Sequence, residues 1–202
     1  MIAIIDYGVG NLFSLQSSFA AIGAEAVVTA DPAVIRVADR ILLPGVGAFE
    51  DAARKLRDSG MAALLIELAA TGKPIMGICL GMQLLLDKSY EYGEHAGLGL
   101  ISGNVSPIRP VVPAEYKVPH IGWNALHFGA GKHPLFKYIN EGDCVYFVHS
   151  YYATDCPAVI ATTEYHAELT AAVAKGNVMG CQFHPEKSGT VGLNILRAFC
   201  EM

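Results

Sequence analysis

Charge is scarce in this chain of 202 residues. Charged side chains make up 16% of it and the formal net charge is −5. Nothing electrostatic therefore favours nucleic acid or an anionic membrane as a partner. Long apolar runs are missing, and none reaches the ~20 residues a helix needs to cross a bilayer. No basic region precedes the first apolar run, Met1-Ile2-Ala3-Ile4-Ile5. That segment reads as a first strand and not as a signal peptide. Paired C-x-x-C spacings are absent as well. The five cysteines (Cys79, Cys144, Cys156, Cys181 and Cys200) are odd in number and far apart. They give no metal pattern and fit free thiols in a reducing cytoplasm. There is no internal repeat, low-complexity tract or linker, so residues 1–202 are expected to form a single domain. Hydrophobic residues are abundant at 52%, which excludes disorder and supplies a sizeable core. The low charge also leaves room for an apolar interaction surface, as a subunit would need.

Strand and helix patterns alternate over the first half. Ile2 to Ile5 is a near-continuous apolar run, as in a strand buried on both faces. A helix follows with Leu12, Leu15, Phe19 and Ile22 on one face, Asn11 as its N-cap and Gly23 at its end. Strands are expected at 26–28, 40–43 and 74–78, and helices over 49–58 and 61–71 and from Cys79 through Leu86. This alternation predicts an α/β fold with a mostly parallel sheet. The second half reads as β-like at 98–108, 144–152, 159–163 and 177–183, which suggests antiparallel pairing. A helix closes the chain from Gly192 to Cys200. The stretch 107–134 is rich in proline and glycine and is expected to be loop-rich.

Chemistry is concentrated in two segments. In Gly77-Ile78-Cys79-Leu80-Gly81-Met82-Gln83, a strand pattern ends at a cysteine bracketed by glycines and a helix begins at once. This is the layout of a nucleophile elbow. A helix start favours negative charge and offers free N–H groups to an oxyanion. Taken alone, Cys79 could equally be a buried core cysteine. The second segment is Cys181-Gln182-Phe183-His184-Pro185-Glu186. In an extended chain His184 and Glu186 share a face, and a histidine oriented by a carboxylate is the base half of a nucleophile triad. Pro44-Gly45-Val46-Gly47 could present backbone N–H groups to a ligand, since glycines allow close approach, or be an ordinary turn. Leu80 N–H, first after the cysteine, is a second oxyanion donor on geometry.

Together these motifs resemble the class I, triad-type glutamine amidotransferases. The resemblance implies a flavodoxin-like α/β domain that hydrolyses glutamine through a glutamyl thioester on Cys79. His184 would be base and acid, and Glu186 would orient it. It assigns Gly45, Val46 and Gly47 to the oxyanion strand. It assigns Gln83, Glu91, His149, Ser150 and Tyr151 to glutamine binding. No cofactor and no metal are implied. Gly8-Val9-Gly10 lacks the third glycine of a dinucleotide fingerprint, since Phe13 stands there.

Within that family the chain is similar from end to end to glutaminase subunits of imidazole glycerol phosphate synthase. The similarity rests on Ile5-Asp6-Tyr7-Gly8-Val9-Gly10-Asn11-Leu12, Pro44-Gly45-Val46-Gly47-Ala48-Phe49 and Lys117-Val118-Pro119-His120-Ile121-Gly122-Trp123-Asn124. It implies a cytoplasmic heterodimer with a (β/α)8-barrel cyclase, to which ammonia is passed in histidine biosynthesis. Asn11, His120, Trp123 and Lys187 would lie at that interface. Trp123, the only tryptophan, could also be core. Alternatives are the glutaminase subunit of another synthase, a stand-alone cysteine hydrolase of the same fold, or a binding subunit without chemistry.

Overall fold

The computed structural model describes residues 1–129 and 131–202. Strands β1 (Ile2–Ile5), β2 (Ala26–Thr29), β3 (Arg40–Leu43) and β4 (Ile75–Ile78) alternate with helices. The helices are α1 (Leu12–Ala21), α2 (Pro32–Val37), α3 (Phe49–Asp58), α4 (Met61–Ala70) and α5 (Leu80–Leu84). Short strands follow at β5 (Lys88–Ser89), β6 (His95–Ala96), β7 (Asn104–Pro107), β8 (His120–Ala125) and β9 (His127–Phe128). Then come β10 (Cys144–His149), β11 (Tyr151–Thr154), β12 (Val159–Glu164), β13 (Glu168–Lys175), β14 (Val178–Cys181) and α6 (Gly189–Cys200).

The main sheet has eight strands in the order β2-β1-β3-β4-β14-β13-β12-β9. The first five are parallel and the last three run antiparallel. The parallel half has the flavodoxin-like order, with β14 as its fifth strand. Its strands alternate between two apolar layers. Ala3, Ile5, Ile41 and Leu43 pack with residues of α2 to α5 on one side. Ile2, Ile4, Leu42 and Met76 pack with α1 and α6 on the other. Each large apolar side chain buried there stabilises the fold by roughly 1.5–3 kcal/mol. Among the described residues no helix is long and apolar enough to cross a membrane.

Several expectations are corrected. The 98–108 run is a strand only at Asn104–Pro107. Residues 98–101 instead fold back on the end of α5: Leu98 N donates to Leu84 O, Gly99 N to Leu86 O, and Leu100 N and Ile101 N to Leu85 O. That is why α5 stops at Leu84 and not at Leu86. The 144–152 run is two strands parted at Ser150: β10 pairs with β8, and β11 pairs with β7. The 107–134 stretch is loop-rich as expected, and it also carries the six-residue strand β8. β14 is antiparallel to β13 but parallel to β4. Two elements go beyond the expected set: the alanine-rich strand β13 and the short helix α2, whose Asp31 side chain accepts from Ala33 N as its cap. Gly23 closes α1 at φ +73°, with Gly23 N to Ala20 O and Ala24 N to Phe19 O. Asn11 does precede α1, but its side chain makes no capping bond.

Candidate active site

The carboxyl ends of β3, β4 and β14 converge on one point. β4 delivers Cys79 at φ 54° and ψ −112°, a backbone conformation that costs a non-glycine residue about 1–3 kcal/mol. Two hydrogen bonds hold it there: Cys79 N to Cys181 O at 2.7 Å and Gln83 N to Cys79 O at 3.2 Å. The flanking glycines are required by close packing. A Cβ on Gly77 would lie 2.5 Å from Gly81 O, and one on Gly81 would lie 1.9 Å from Leu43 O. A Cβ on Gly45 would lie 2.6 Å from Gly81 N. Tyr7 Oη, buried, donates to Pro44 O at 2.7 Å and pins the start of the 44–47 segment. Burial and the nearby Cys79 both push the Tyr7 hydroxyl upward, so it stays protonated as that donor.

β14 delivers the second half of the site. Beyond the strand the chain is irregular: Pro185–Lys187 is a turn of 3-10 helix with His184 as its cap, not an extended segment. The turn still brings His184 Nδ1 to Glu186 Oε1 at 2.9 Å, with side chains 3% and 1% exposed. Ser188 fastens it, since Ser188 Oγ donates to His184 O and accepts from Tyr146 N. Gly192 lets α6 lie against this turn, because a Cβ there would meet Pro185 O at 1.9 Å. Burial opposes a charged His184. The hydrogen bonds and charges of Cys79 and Glu186 outweigh burial and raise its pKa from 6.5 to about 9. The imidazolium is therefore favoured between a carboxylate and a sulfur.

An open cavity of about 560 Å³ lies over Cys79 and His184. Val46, Gly47, Leu80, Gln83, Glu91, His149, Ser150, Tyr151 and Lys187 also line it. Gly45 does not, since it is buried beneath against α5. Gln83 has its amide nitrogen taken by Tyr151 O at 3.1 Å and Gln182 Oε1 at 3.0 Å. Glu91 Oε2 accepts from Phe49 N, the first N–H of α3. Ser150 O accepts from Ile108 N. Sequence reasoning missed Tyr92, which also lines the cavity and meets Tyr151 edge-on at 6.4 Å. It also missed Gln182, a polar residue inside a buried apolar run, which is the informative kind of exception.

His149 and His120 form a buried relay behind the cavity. Tyr151 O can only accept, so His149 Nδ1 donates to it at 2.8 Å. His149 Nε2 faces His120 Nδ1 at 3.0 Å, and His120 Nε2 faces Asn124 Oδ1 at 2.8 Å. Asn124 Nδ2 donates to Glu164 O, which fixes that amide's orientation. Burial drives His149 down to about 3, with the Tyr151 hydrogen bond offsetting part of it and the charges of His120 and His184 adding to it. Burial lowers His120 too. His120 is fully buried between Phe147 and Tyr165. The expectation that it meets a partner directly is therefore corrected. Trp123 is 55% exposed and Ile121 57%, because alternate side chains of β8 face outward. Trp123 packs edge-on against Tyr146, and Lys187 Nζ lies over the same ring. Asn11 is partly exposed at the start of α1.

A cysteine on a strained elbow beside a carboxylate-held histidine is suited to nucleophilic attack on a carbonyl. Comparison with known proteins decides between hydrolase families that share such a site. The family described as glutamine amidotransferase class-I matches residues 3–202. A relative from Lactococcus lactis subsp. lactis, named imidazole glycerol phosphate synthase subunit HisH, is 50% identical over 203 residues. The match covers 99% of this chain and 98% of that one. The chain belongs to the HisH branch of the class-I glutamine amidotransferases. A HisH relative from Sulfurimonas denitrificans is also 50% identical, over 98% of this chain and 97% of its own. Two solved structures share the amidotransferase fold. One described as a glutamine amidotransferase has a TM-score of 0.77 at 18% identity, covering 100% of this chain and 98% of its own. One of PurLQS from Thermotoga maritima has a TM-score of 0.72 at 20% identity, covering 99% and 97%.

Proposed function

We propose that this class-I amidotransferase hydrolyses glutamine at Cys79 and supplies the ammonia to a cyclase subunit of imidazole glycerol phosphate synthase. The observation that carries the chemistry is the buried Cys79, His184 and Glu186 set at the floor of the cavity. The HisH relatives carry the choice of acceptor. The Cys79 thiolate attacks the glutamine carboxamide carbon. The oxyanion is taken by N–H groups from Val46, Gly47 and Leu80. His184 gives its proton to the departing nitrogen, and ammonia leaves behind a glutamyl thioester. Water then attacks that thioester, with His184 as base, and releases glutamate and the thiolate. Glu186 holds the His184 tautomer and stabilises the imidazolium. Gln83 keeps its carbonyl end for the substrate, because both its N–H groups are taken by protein. Glu91 supplies a carboxylate for the α-ammonium group. The N–H groups of Ser150 and Tyr151 are the better donors, since both carbonyls are already engaged.

The partner, a (β/α)8-barrel in this reading, covers the face that carries Asn11, Trp123 and Lys187. Chain and partner form a cytoplasmic heterodimer that requires no cofactor or metal for amide hydrolysis. The test is ammonia release from glutamine by the chain alone and with cyclase plus acceptor ligand. Low turnover alone and a large rise in the complex, absent in Cys79→Ala, is the expected result. Equal turnover in both states would point instead to a stand-alone hydrolase.

A further inference from the structure

We infer that Gln182 is a positioning residue for the Cys79 thiolate, holding its sulfur through a carboxamide N–H. The inference rests on Cys79 being the nucleophile, as proposed above. β14 runs parallel to β4 with Cys181 beside Ile78, so the residue that follows each strand meets the other. Gln182 therefore sits beside Cys79. It is fully buried, and its backbone is fixed by a 2.8 Å hydrogen bond from Gln182 N to Ala171 O.

The orientation of its amide is forced by a chain of acceptors. Tyr151 O can only accept, and it receives Gln83 Nε2 at 3.1 Å. The other N–H of that nitrogen points at Gln182 at 3.0 Å, so Gln182 presents Oε1 to it. Gln182 Nε2 is left facing Cys79 Sγ at 3.7 Å, within range for a sulfur acceptor. Flipping Gln83 would set two acceptors against each other, and flipping Gln182 would set two donors against each other. The Gln182 N–H is thus a fixed donor to the sulfur. A donor to the charged form favours that form, and a hydrogen bond to an ion is stronger than one to a neutral group. The N–H also restrains the sulfur, so that it stays aimed while His184 moves its proton. Gln182 is not among the residues that line the cavity, so its effect should fall on kcat and not on KM.

The other titratable groups around the sulfur are Tyr7 from the end of β1, Cys181 from β14, and His184 with Glu186 from the turn. None of them is altered by a change at 182. The experiment is the pH dependence of Cys79 alkylation by iodoacetamide in the full chain. It is followed by mass spectrometry of the Cys79 peptide, so that exposed Cys144 does not interfere. In Gln182→Met, an unbranched side chain without a donor, the alkylation midpoint should move to higher pH. A midpoint raised by about one pH unit lowers the alkylation rate about tenfold at pH values well below the midpoint. Gln182→Glu keeps an acceptor for Gln83 but turns a carboxyl toward the sulfur, and should raise the midpoint at least as far. In the complex both variants should lose kcat about tenfold or more with little change in KM. Folded variants with the wild-type alkylation curve would overturn the inference and leave Gln182 as packing. Failure of both variants to fold would overturn it in the same way. If the wild-type complex itself showed no Cys79-dependent glutamine turnover, the proposed function would fall instead.

Discussion

Cys79 is held by atoms that belong to its neighbours' backbones. The elbow can form only because β3, β4 and the start of α5 approach within bare van der Waals contact. Gly81 is the tightest of these positions, since its missing Cβ would overlap the carbonyl oxygen of Leu43 at 1.9 Å. A backbone carbonyl in a sheet cannot swing aside as a side-chain tip can. Gly81→Ala should therefore destabilise by about 1–3 kcal/mol or more through overpacking, seen as a lower urea midpoint at unchanged slope. An unchanged midpoint would mean that α5 slides freely and that the elbow does not depend on this contact. Glu186 poses a different question at the same scale. Glu186→Gln keeps the shape and one acceptor oxygen but removes the charge that favours the imidazolium. Glutamine turnover in the complex should fall on the order of 10²- to 10⁴-fold, while KM changes little. A loss below threefold would show that Glu186 is only packing against His184.

At the scale of elements, the strands that bury both faces were plain in the sequence. Ile2–Ile5, Arg40–Leu43 and Ile75–Ile78 are short apolar runs bounded by breakers, and each lies where its run predicts. The triad was plain for a related reason, because Cys79 and His184 each follow such a run. What stayed hidden depends on contacts distant in sequence. The end of α5 is set by carbonyls that residues 98–101 come back to satisfy. The split between β10 and β11 is set by which strand each one pairs with. β13 is rich in alanine, which carries no β signal of its own, and it is a strand because β12 and β14 flank it. Gln182 could have been suspected as the one amide in a buried run, but its partner Gln83 is 99 positions away. The β8–β10 ribbon carries the next prediction. Its inner side chains are buried, while Ile121 and Trp123 face out beside Tyr146. Trp123→Ala should leave the folding free energy within about 1 kcal/mol of wild type, as for most exposed sites. It should weaken the complex by ~2 kcal/mol or more, as for interface tryptophans. More glutamine would then be consumed per molecule of product. A normal ratio of the two in that variant would remove Trp123 from the interface.

For the molecule as a whole, two histidines set opposite limits on the pH range of stability. His149 is held near 3 by burial, against 6.5 in the ordinary state. Between those values the unfolded chain binds a proton that the folded chain refuses. Stability therefore rises with pH through that window and is lost as pH falls from 6.5 toward 3. His184 acts in the other direction, since its contacts with Cys79 and Glu186 raise it to about 9. The folded chain holds a proton there that the unfolded chain has released. That contribution is complete below 6.5 and is lost as pH rises toward 9. Every pH unit that separates the folded from the unfolded pKa corresponds to about 1.4 kcal/mol. The separation is wider for His149, so the acid limb should carry the larger loss. The melting temperature should accordingly peak between about pH 6 and 7 by this linkage. The two limbs can be separated. Replacing His149 by Asn removes the group that resists protonation and should flatten the acid limb, at some cost in overall stability. Replacing His184 by Asn should flatten mainly the alkaline limb. A melting temperature that falls equally in wild type and in the His149→Asn variant between about pH 6 and 4 would show that other groups govern acid unfolding. The buried relay behind the cavity would then be only a packing feature. The loss of the acid limb in that variant would instead make the relay the element that limits the whole fold at low pH. Two buried histidines would in that case fix the conditions under which the fold survives.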